Sequence, residues 1–545
     1  MLSRPHVWLS LLSTFRFTAV KLTDKISLCI VASATLLLSA CNLLGPRYQR
    51  PDIQAPGGWN VNTTQTPDES AAAAAATDAI ATTRAGPPPK PSSPFTGQEA
   101  RAPQALHPLP PPSTRPNTVA AWPSAEWWRG FGSPQLNDLI GQAQQANDDI
   151  AAAVARVRQA DAQAQIAGAP LLPAIAVSGS GARQREKPSL TSASSSRPVT
   201  FNQFGVEAAA SYQLDFWGKN RAALNAAKFA ATASRYDHAT VELTVMTSVA
   251  ITYFQAIALH DRLNVADQDL STAQTILKDL TFEETVGTAN ALDVAQQATT
   301  VAVINASIPP LRQQLRQTLD ALAILVGRMP QELEAPGGTL SDLSEPVVGP
   351  GLPSELLARR PDVAAAEAQL MAANANIQVA RAAFFPSIEL TADGGFVSAA
   401  LSGLISPANR VFSLTGTVTQ DIFHGGALVG GYRLNKARYA ELLSDYHKSV
   451  ISAFGNVEDA LGAAQQTTEQ YRRQQDAVAK ARRAYEITQI QLHAGTVNVL
   501  TVLNTQSALF SAEDALVQVK FAHLQALVQL FNALGGGWQL PARNG

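Results

Sequence analysis

The sequence predicts an α+β chain built from two internal repeats, in each of which a pair of β-strands is set between long helices. Three observations point there. ARAAFFPSIELTADGG at 380–395 breaks a helix-like stretch at a proline and turns into an alternating strand; AGAPLLPAIAVSGSG at 167–181 does the same, with Pro386 over Pro173, Ile388 over Ile175 and Leu390 over Val177, an offset of 213. Strand-like segments alternate with a two-residue period. Residues 219–286 contain neither Gly nor Pro, a run that as one helix extends roughly 100 Å at 1.5 Å per residue.

In the first repeat Phe204, Val206, Ala208, Ala210, Tyr212, Leu214 and Phe216 fall on one face, opposite Glu207, Ser211, Gln213 and Asp215. In the second, Phe412, Leu414, Val418 and Ile422 oppose Ser413, Thr415, Thr417, Thr419 and Asp421, and the strand after Pro386 sets Ile388, Leu390 and Phe396 against Glu389, Thr391 and Asp393. A soluble sandwich gives the same alternation. Four strands near the length of a tilted transmembrane β-strand (about 9–11 residues), each abutting a long helix, favour a membrane-spanning sheet. Pro173 and Pro386 are the expected helix-to-strand junctions, because proline pushes its predecessors, Leu172 and Phe385, toward extended geometry. The longer connections between strands are expected at 183–203 and 398–410.

The helices are long and thin. Leu259, Leu263, Ala266, Leu270, Ala273, Leu277 and Leu280 alternate spacings of four and three, the seam of a coiled coil. Only 6% of the chain is aromatic, which suits such helices better than a thick core. Beyond the first 41 residues, no stretch approaches the roughly 20 consecutive apolar residues of a membrane helix.

The N-terminus supplies basic residues (Arg16, Lys21, Lys25), an apolar run from Ile26 to Leu38, then Leu38-Ser39-Ala40-Cys41, the pattern of a lipoprotein signal with Cys41 as the lipid attachment site; an ordinary secretory signal with a chance cysteine is the alternative. Asn42 after the cysteine is consistent with an outer-membrane destination. Cys29 lies in the signal, so no intramolecular disulfide is expected in the mature chain. Losing residues 1–40 removes four basic residues and one acid, leaving 37 against 42, a net charge of −5, which suggests no nucleic-acid partner.

The expected organisation is a signal at 1–40, an acylated segment at 41–60, a disordered Ala/Pro-rich tether at 61–120, repeats at 121–328 and 353–540 joined by a Pro/Gly-rich connector at 329–352, and a tail at 541–545. Trp122, Trp127, Trp128 and Phe131 are expected to pin the start of the first repeat onto the folded body.

GTANALDV at 287–294 stands over GTVNVLTV at 495–502, an offset of 208. Gly287 and Gly495 tolerate the backbone of a chain reversal, and Thr288 and Thr496 follow them. Here a plain turn and a partner contact both fit. The following helices are expected to begin at Ala291 and Val499, with apolar Leu292, Val294, Leu500 and Val502 near their starts. The sequence holds no catalytic constellation: the histidines lack metal-ligand spacing, and there is neither a phosphate loop nor a Gly-x-Ser-x-Gly elbow. No enzyme activity, cofactor or metal is expected.

The two helix-strand-strand-helix halves, Cys41 followed by GPRYQRP, the WW..F.SP.L..LI segment at 127–140, RRPDVAAAEAQL at 359–370 and the paired Gly-Thr tips resemble the TolC-like outer-membrane efflux channels, closest to the NodT/OprM-type lipoproteins. The resemblance covers nearly all of 120–540. It implies a homotrimer whose twelve strands, four per chain, close one β-barrel in outer-membrane lipid, continued by an α-helical coiled-coil barrel across the periplasm. It implies the channel component of a tripartite efflux pump, a passive exit duct for drugs and other small toxic molecules. The partners would be a periplasmic adaptor (membrane fusion) protein and an inner-membrane transporter. The gate and adaptor surface would lie at the tips, Gly287, Thr288, Leu292, Asp293, Gly495, Thr496, Leu500, Thr501 and Asn504. Asp293 matches an acidic gate position, whereas Thr501 and Asn504 stand where some members carry aspartates. The alternatives are the exit duct of a type I protein-secretion system and a lumen-less, lipid-anchored coiled-coil scaffold.

Overall fold

A computed structural model describes residues 48–51, 55, 56, 58, 59, 122–186, 198–349, 351 and 353–539. The expectations for the signal, Cys41, the tether and the tail lie outside the described residues. The first repeat runs α1 (Pro134–Ala146), α2 (Asp148–Gly168), β1 (Ala174–Glu186), β2 (Val199–Leu214), α3 (Lys219–Thr285) and α4 (Ala291–Leu325). The second runs α5 (Pro361–Ala382), β3 (Ser387–Ser398), β4 (Arg410–Thr419), α6 (Ala427–His493) and α7 (Val499–Ala533), with a one-turn helix at Pro353–Leu356 ahead of α5. The chain divides into two compact units. One holds Asp148–Glu242 and Pro361–Ile451, the other Leu243–Arg360 and Ser452–Gly545 together with residues 122–147.

All four strands belong to the first unit and form one antiparallel sheet in the order β1-β2-β3-β4. Directly opposed residues in antiparallel strands share a face, so register decides what each face displays. Ile175 pairs with Ala210 and Val177 with Ala208. Tyr212 pairs with Leu390 and Val206 with Phe396. Ile388 pairs with Val418 and Ala392 with Leu414. One unbroken apolar face results, and Glu207, Ser211, Thr391, Asp393, Thr415 and Thr417 occupy the other. The apolar face is open: Phe412 is 90% exposed, Leu414 80%, Ile175 74% and Val177 73%. A soluble sandwich buries that face; here no described element covers it, which is the arrangement lipid requires. From Phe204 to Leu214 the apolar band spans about the length of a tilted bilayer crossing. Toward the loops it gives way to Arg183 opposite Asn202 and Arg185 opposite Thr200. The strands outlast their expected ends, so the β1–β2 loop covers only 187–198.

Pro173 and Pro386 lie directly ahead of β1 and β3, and the helices stop before them. α2 ends at Gly168, a 3-10 turn covers Ala169–Leu171, and Leu172 takes φ −118°, ψ 153° ahead of Pro173. α5 likewise ends at Ala382, and turn hydrogen bonds from Phe384 to Arg381 and from Phe385 to Ala382 carry the chain to Pro386. Proline therefore fixes the start of the strand, while the last helical turn unwinds upstream of it.

In the second unit each repeat is closed on itself by a matching device. Asn147, whose extended backbone separates α1 from α2, donates its side-chain amide to the Leu325 carbonyl at 2.8 Å. Arg360, at the matching place before α5, donates to the Ala533 carbonyl at 2.8 Å. Gly327 and Gly535, at φ 72° and 86°, lie so close to the carbonyls of Ala146 and Arg359 that a Cβ would come within 2.3 and 2.0 Å. Each carbonyl thus meets a glycine because no other residue leaves room. Trp127, Trp128 and Phe131 are buried as expected, and Trp127 stacks on Phe531 with ring centroids 5.1 Å apart. The seam of α3 is also the buried stripe, with Leu259, Leu263 and Ala266 packing on Ile308 and Leu311 of α4. One 18-residue window of α3 is apolar enough to cross a bilayer, a feature missing from the sequence expectation. It is 61% buried, so its hydrophobicity serves packing.

Candidate functional site

The candidate site is the pair of hairpin tips, where α3 turns into α4 and α6 into α7. α3 closes with Gly287 at φ 78°, its N–H on the Glu284 carbonyl at 3.0 Å and the Thr288 N–H on the Glu283 carbonyl at 2.9 Å. α6 closes identically: Gly495 at φ 70° bonds to the Leu492 carbonyl at 2.9 Å and Thr496 to the Gln491 carbonyl at 2.9 Å. This is the Schellman closure, in which a left-handed glycine lets two terminal carbonyls be satisfied. The Thr288 and Thr496 hydroxyls add a second donor to the Glu283 and Gln491 carbonyls, each at 3.1 Å.

The next helices start at Ala291 and Val499, as expected. Their N-caps are Asn290 and Asn498, which the sequence reading passed over. The Asn290 side chain accepts from the Asp293 N–H at 3.0 Å, and an Asp293 carboxylate oxygen lies 3.5 Å from the Asn290 N–H, forming a capping box. Asn498 accepts from the Thr501 N–H at 3.1 Å and from the Thr501 hydroxyl at 2.7 Å. The signal was present as Asn three residues before Asp or Thr. Gly287, Thr288, Asp293, Gly495, Thr496 and Thr501 therefore all build turns, which gives the paired motif a local reason to exist.

The structure brings the two tips together. Leu280 of α3 is buried with Val499 and Leu503 of α7, and Ala289, Val294 and Leu492 pack against them. Val502 and Leu509 form a second cluster with Tyr485 of α6. Leu292 and Leu500 stay outside both clusters, 63% and 47% exposed, and Asn504 is exposed as well.

Behind the tips, ion pairs join α3 to α7 across the hairpins and α6 to α7 within the second. Arg262 of α3 makes two bonds to Asp514 of α7, at 2.6 and 3.2 Å, and Arg482 of α6 reaches Glu513 at 2.7 Å. Asp269 of α3 has one buried oxygen without a hydrogen-bond partner. Burial, with the Glu513 carboxylate adding to it, pushes the Asp269 carboxyl up to about 7. Burial also raises Tyr485, and Asp269 beside it contributes.

The family model described as outer membrane efflux protein matches residues 139–328 and 352–536, so each repeat is one copy of the family's unit. The pyoverdine export outer membrane protein OpmQ of Pseudomonas putida is 40% identical over 424 residues, 77% of this chain and 89% of the relative. The toluene efflux pump outer membrane protein TtgC of Pseudomonas putida is 32% identical over 431 residues, 78% of this chain and 88% of the relative. The crystal structure of the Campylobacter jejuni CmeC outer membrane channel superposes with a TM-score of 0.73 at 25% identity, over 81% of this chain and 95% of that one.

Proposed function

Because this chain belongs to the outer membrane efflux protein family and is the outer-membrane channel component of an efflux pump, we propose that it works as a homotrimer forming a passive exit duct for small molecules. The observation that carries this reading is the sheet with an exposed apolar face, a polar opposite face and two free edges. Unpaired backbone in hydrocarbon costs several kcal/mol per group, so four strands need further strands to close. Three chains supply twelve. The polar face then lines water, and the duct itself supplies neither energy nor catalysis.

An inner-membrane transporter drives the substrate and a periplasmic adaptor couples it to the hairpin tips, which form the gate. Exposed Leu292 and Leu500 suit contact between chains or with that adaptor. Relatives named for pyoverdine export and toluene efflux favour small molecules over protein cargo. Cys41 carries the lipid anchor; metabolic labelling with palmitate should mark the wild type and leave Cys41→Ser unlabelled.

The test is conductance in planar bilayers. Purified protein is expected to open discrete pores, and deletion of the gene to raise cell sensitivity to small toxic compounds. A trimer that forms no pores would sink the reading.

A further inference from the structure

Two tryptophans far apart in the chain end on one glycine. Gly351, in the connector between the repeats, holds φ 61°, and a Cβ there would come within 2.6 Å of the Trp122 ring. Only a residue without a side chain leaves that ring its place. The Gly351 carbonyl in turn accepts the Trp59 indole N–H at 3.0 Å. Each indole is also held from a further side. The Trp122 N–H donates to the Glu355 carboxylate, and the Arg359 guanidinium lies 5.3 Å from its ring centroid. The Trp59 ring packs against Phe454 with centroids 6.2 Å apart. An indole whose N–H is satisfied while its ring packs makes a firm anchor.

We propose that Gly351 seats the chain on both sides of residues 60–121, so that this span leaves the connector and returns to it at one point and adds nothing to the reach of the lipid anchor. This rests on the reading of an outer-membrane channel acylated at Cys41, and it assigns the anchor to residues 41–59.

Lengths along the chain agree. Arg50 pairs with Glu367 of α5 at 3.0 Å and donates to the Tyr446 hydroxyl of α6 at 3.3 Å. Cys41 lies nine residues earlier, a reach of at most about 30 Å at 3.3 Å per residue. From Glu367, α5 rises about 22 Å to its end at Ala382, just ahead of β3. Residues 41–49 therefore suffice to bring the acyl chains to the foot of the apolar sheet. Any pull on Cys41 meets Arg50 and then Trp59 before it reaches residue 60.

A cut inside the span tests the clasp. A site for a sequence-specific protease is placed between Ala76 and Thr77, in a chain begun at Asn42 behind an ordinary secretory signal. Without acyl chains, retention of the cut fragment in detergent measures protein contacts alone. Size-exclusion chromatography is expected to show the fragment eluting with the body, and Arg50→Ala combined with Trp59→Ala to raise its release several-fold. Release of the fragment from the protein that keeps Arg50 and Trp59, or equal retention by the double variant, overturns the clasp. In a second, normally acylated chain, about six Gly/Ser residues replace 60–121, an r.m.s. span of about 14 Å that bridges two indoles seated on one residue. Its palmitate labelling and trimer yield are expected to match those of the wild type. Loss of either, where the wild type is labelled and trimeric, overturns the assignment of the anchor to residues 41–59. A wild type that takes no palmitate or forms no trimer overturns the functional reading instead, and the cut fragment still decides the clasp, which lies inside one chain.

Discussion

The indole N–H of Trp217 donates to the Pro386 carbonyl at 2.7 Å, and its ring stacks on Phe385 with centroids 4.7 Å apart and planes at 22°. Trp217 follows the strand pair of the first repeat, and Pro386 opens that of the second. One side chain therefore clamps the place where β2 and β3 leave their helices. Trp217→Phe keeps a ring and loses the hydrogen bond, an expected cost of about 0.5–1.5 kcal/mol. Trp217→Ala also loses the stacking and is expected to cost about 2 kcal/mol or more. Midpoints of heat unfolding in detergent should rank wild type above Trp217→Phe above Trp217→Ala; equal midpoints would show that the clamp is idle.

Gly495 can be tested without a steric complication. An added Cβ meets nothing within 4 Å, so Gly495→Ala suffers only the left-handed backbone, at about 1–2 kcal/mol. Asn498→Ala removes the neighbouring cap at about 1 kcal/mol. Both should speed amide hydrogen exchange at residues 490–500 while leaving the sheet unchanged. Exchange that quickens throughout the chain would mean that the tip does not open locally.

Asp269 gives a pH dependence. Its carboxyl titrates near 7 when folded, against an ordinary value of 3.8, so ionisation opposes folding. The penalty is absent below about pH 4, grows between about 4 and 7, and is full above. Asp269→Asn should therefore stabilise at pH 8, by on the order of 1–3 kcal/mol after solvent screening, and change little at pH 4. Unfolding midpoints at the two pH values decide, and equal effects at both would count against the assignment.

Leu500 and Asp293 separate gate from turn. Asp293 serves the Asn290 capping box, and in Asp293→Ala the Asn290 side chain can still accept from the N–H of residue 293. Leu500→Glu places a charge on an exposed apolar position at the tip. Closed-state conductance and susceptibility to vancomycin should rise more for Leu500→Glu than for Asp293→Ala. Unchanged conductance in Leu500→Glu at normal trimer levels would put the constriction elsewhere.

By itself the sequence determined what is local and periodic. The two-residue alternation around Val206 and Leu414 marked the strands, and the absence of Gly and Pro allowed the 67-residue α3. The four-three spacing of Leu259, Leu263 and Ala266 marked the buried stripe, and Gly287 and Gly495 marked the reversals. Each is legible because hydrogen bonding and side-chain direction repeat every few residues along one element. Only the tertiary structure decided that the apolar sheet face stays open, because alternation divides the faces of a strand without saying which is covered. It also decided that Asn147 and Arg360 hold matching carbonyls at Leu325 and Ala533, that Trp217 reaches Pro386, and that Asp269 lies beside Glu513. Those partners are 169 to 244 positions apart in the chain. Dielectric, charge and hydrogen-bond geometry act through space, and one strand or helix carries no record of which distant neighbour the fold will set against it.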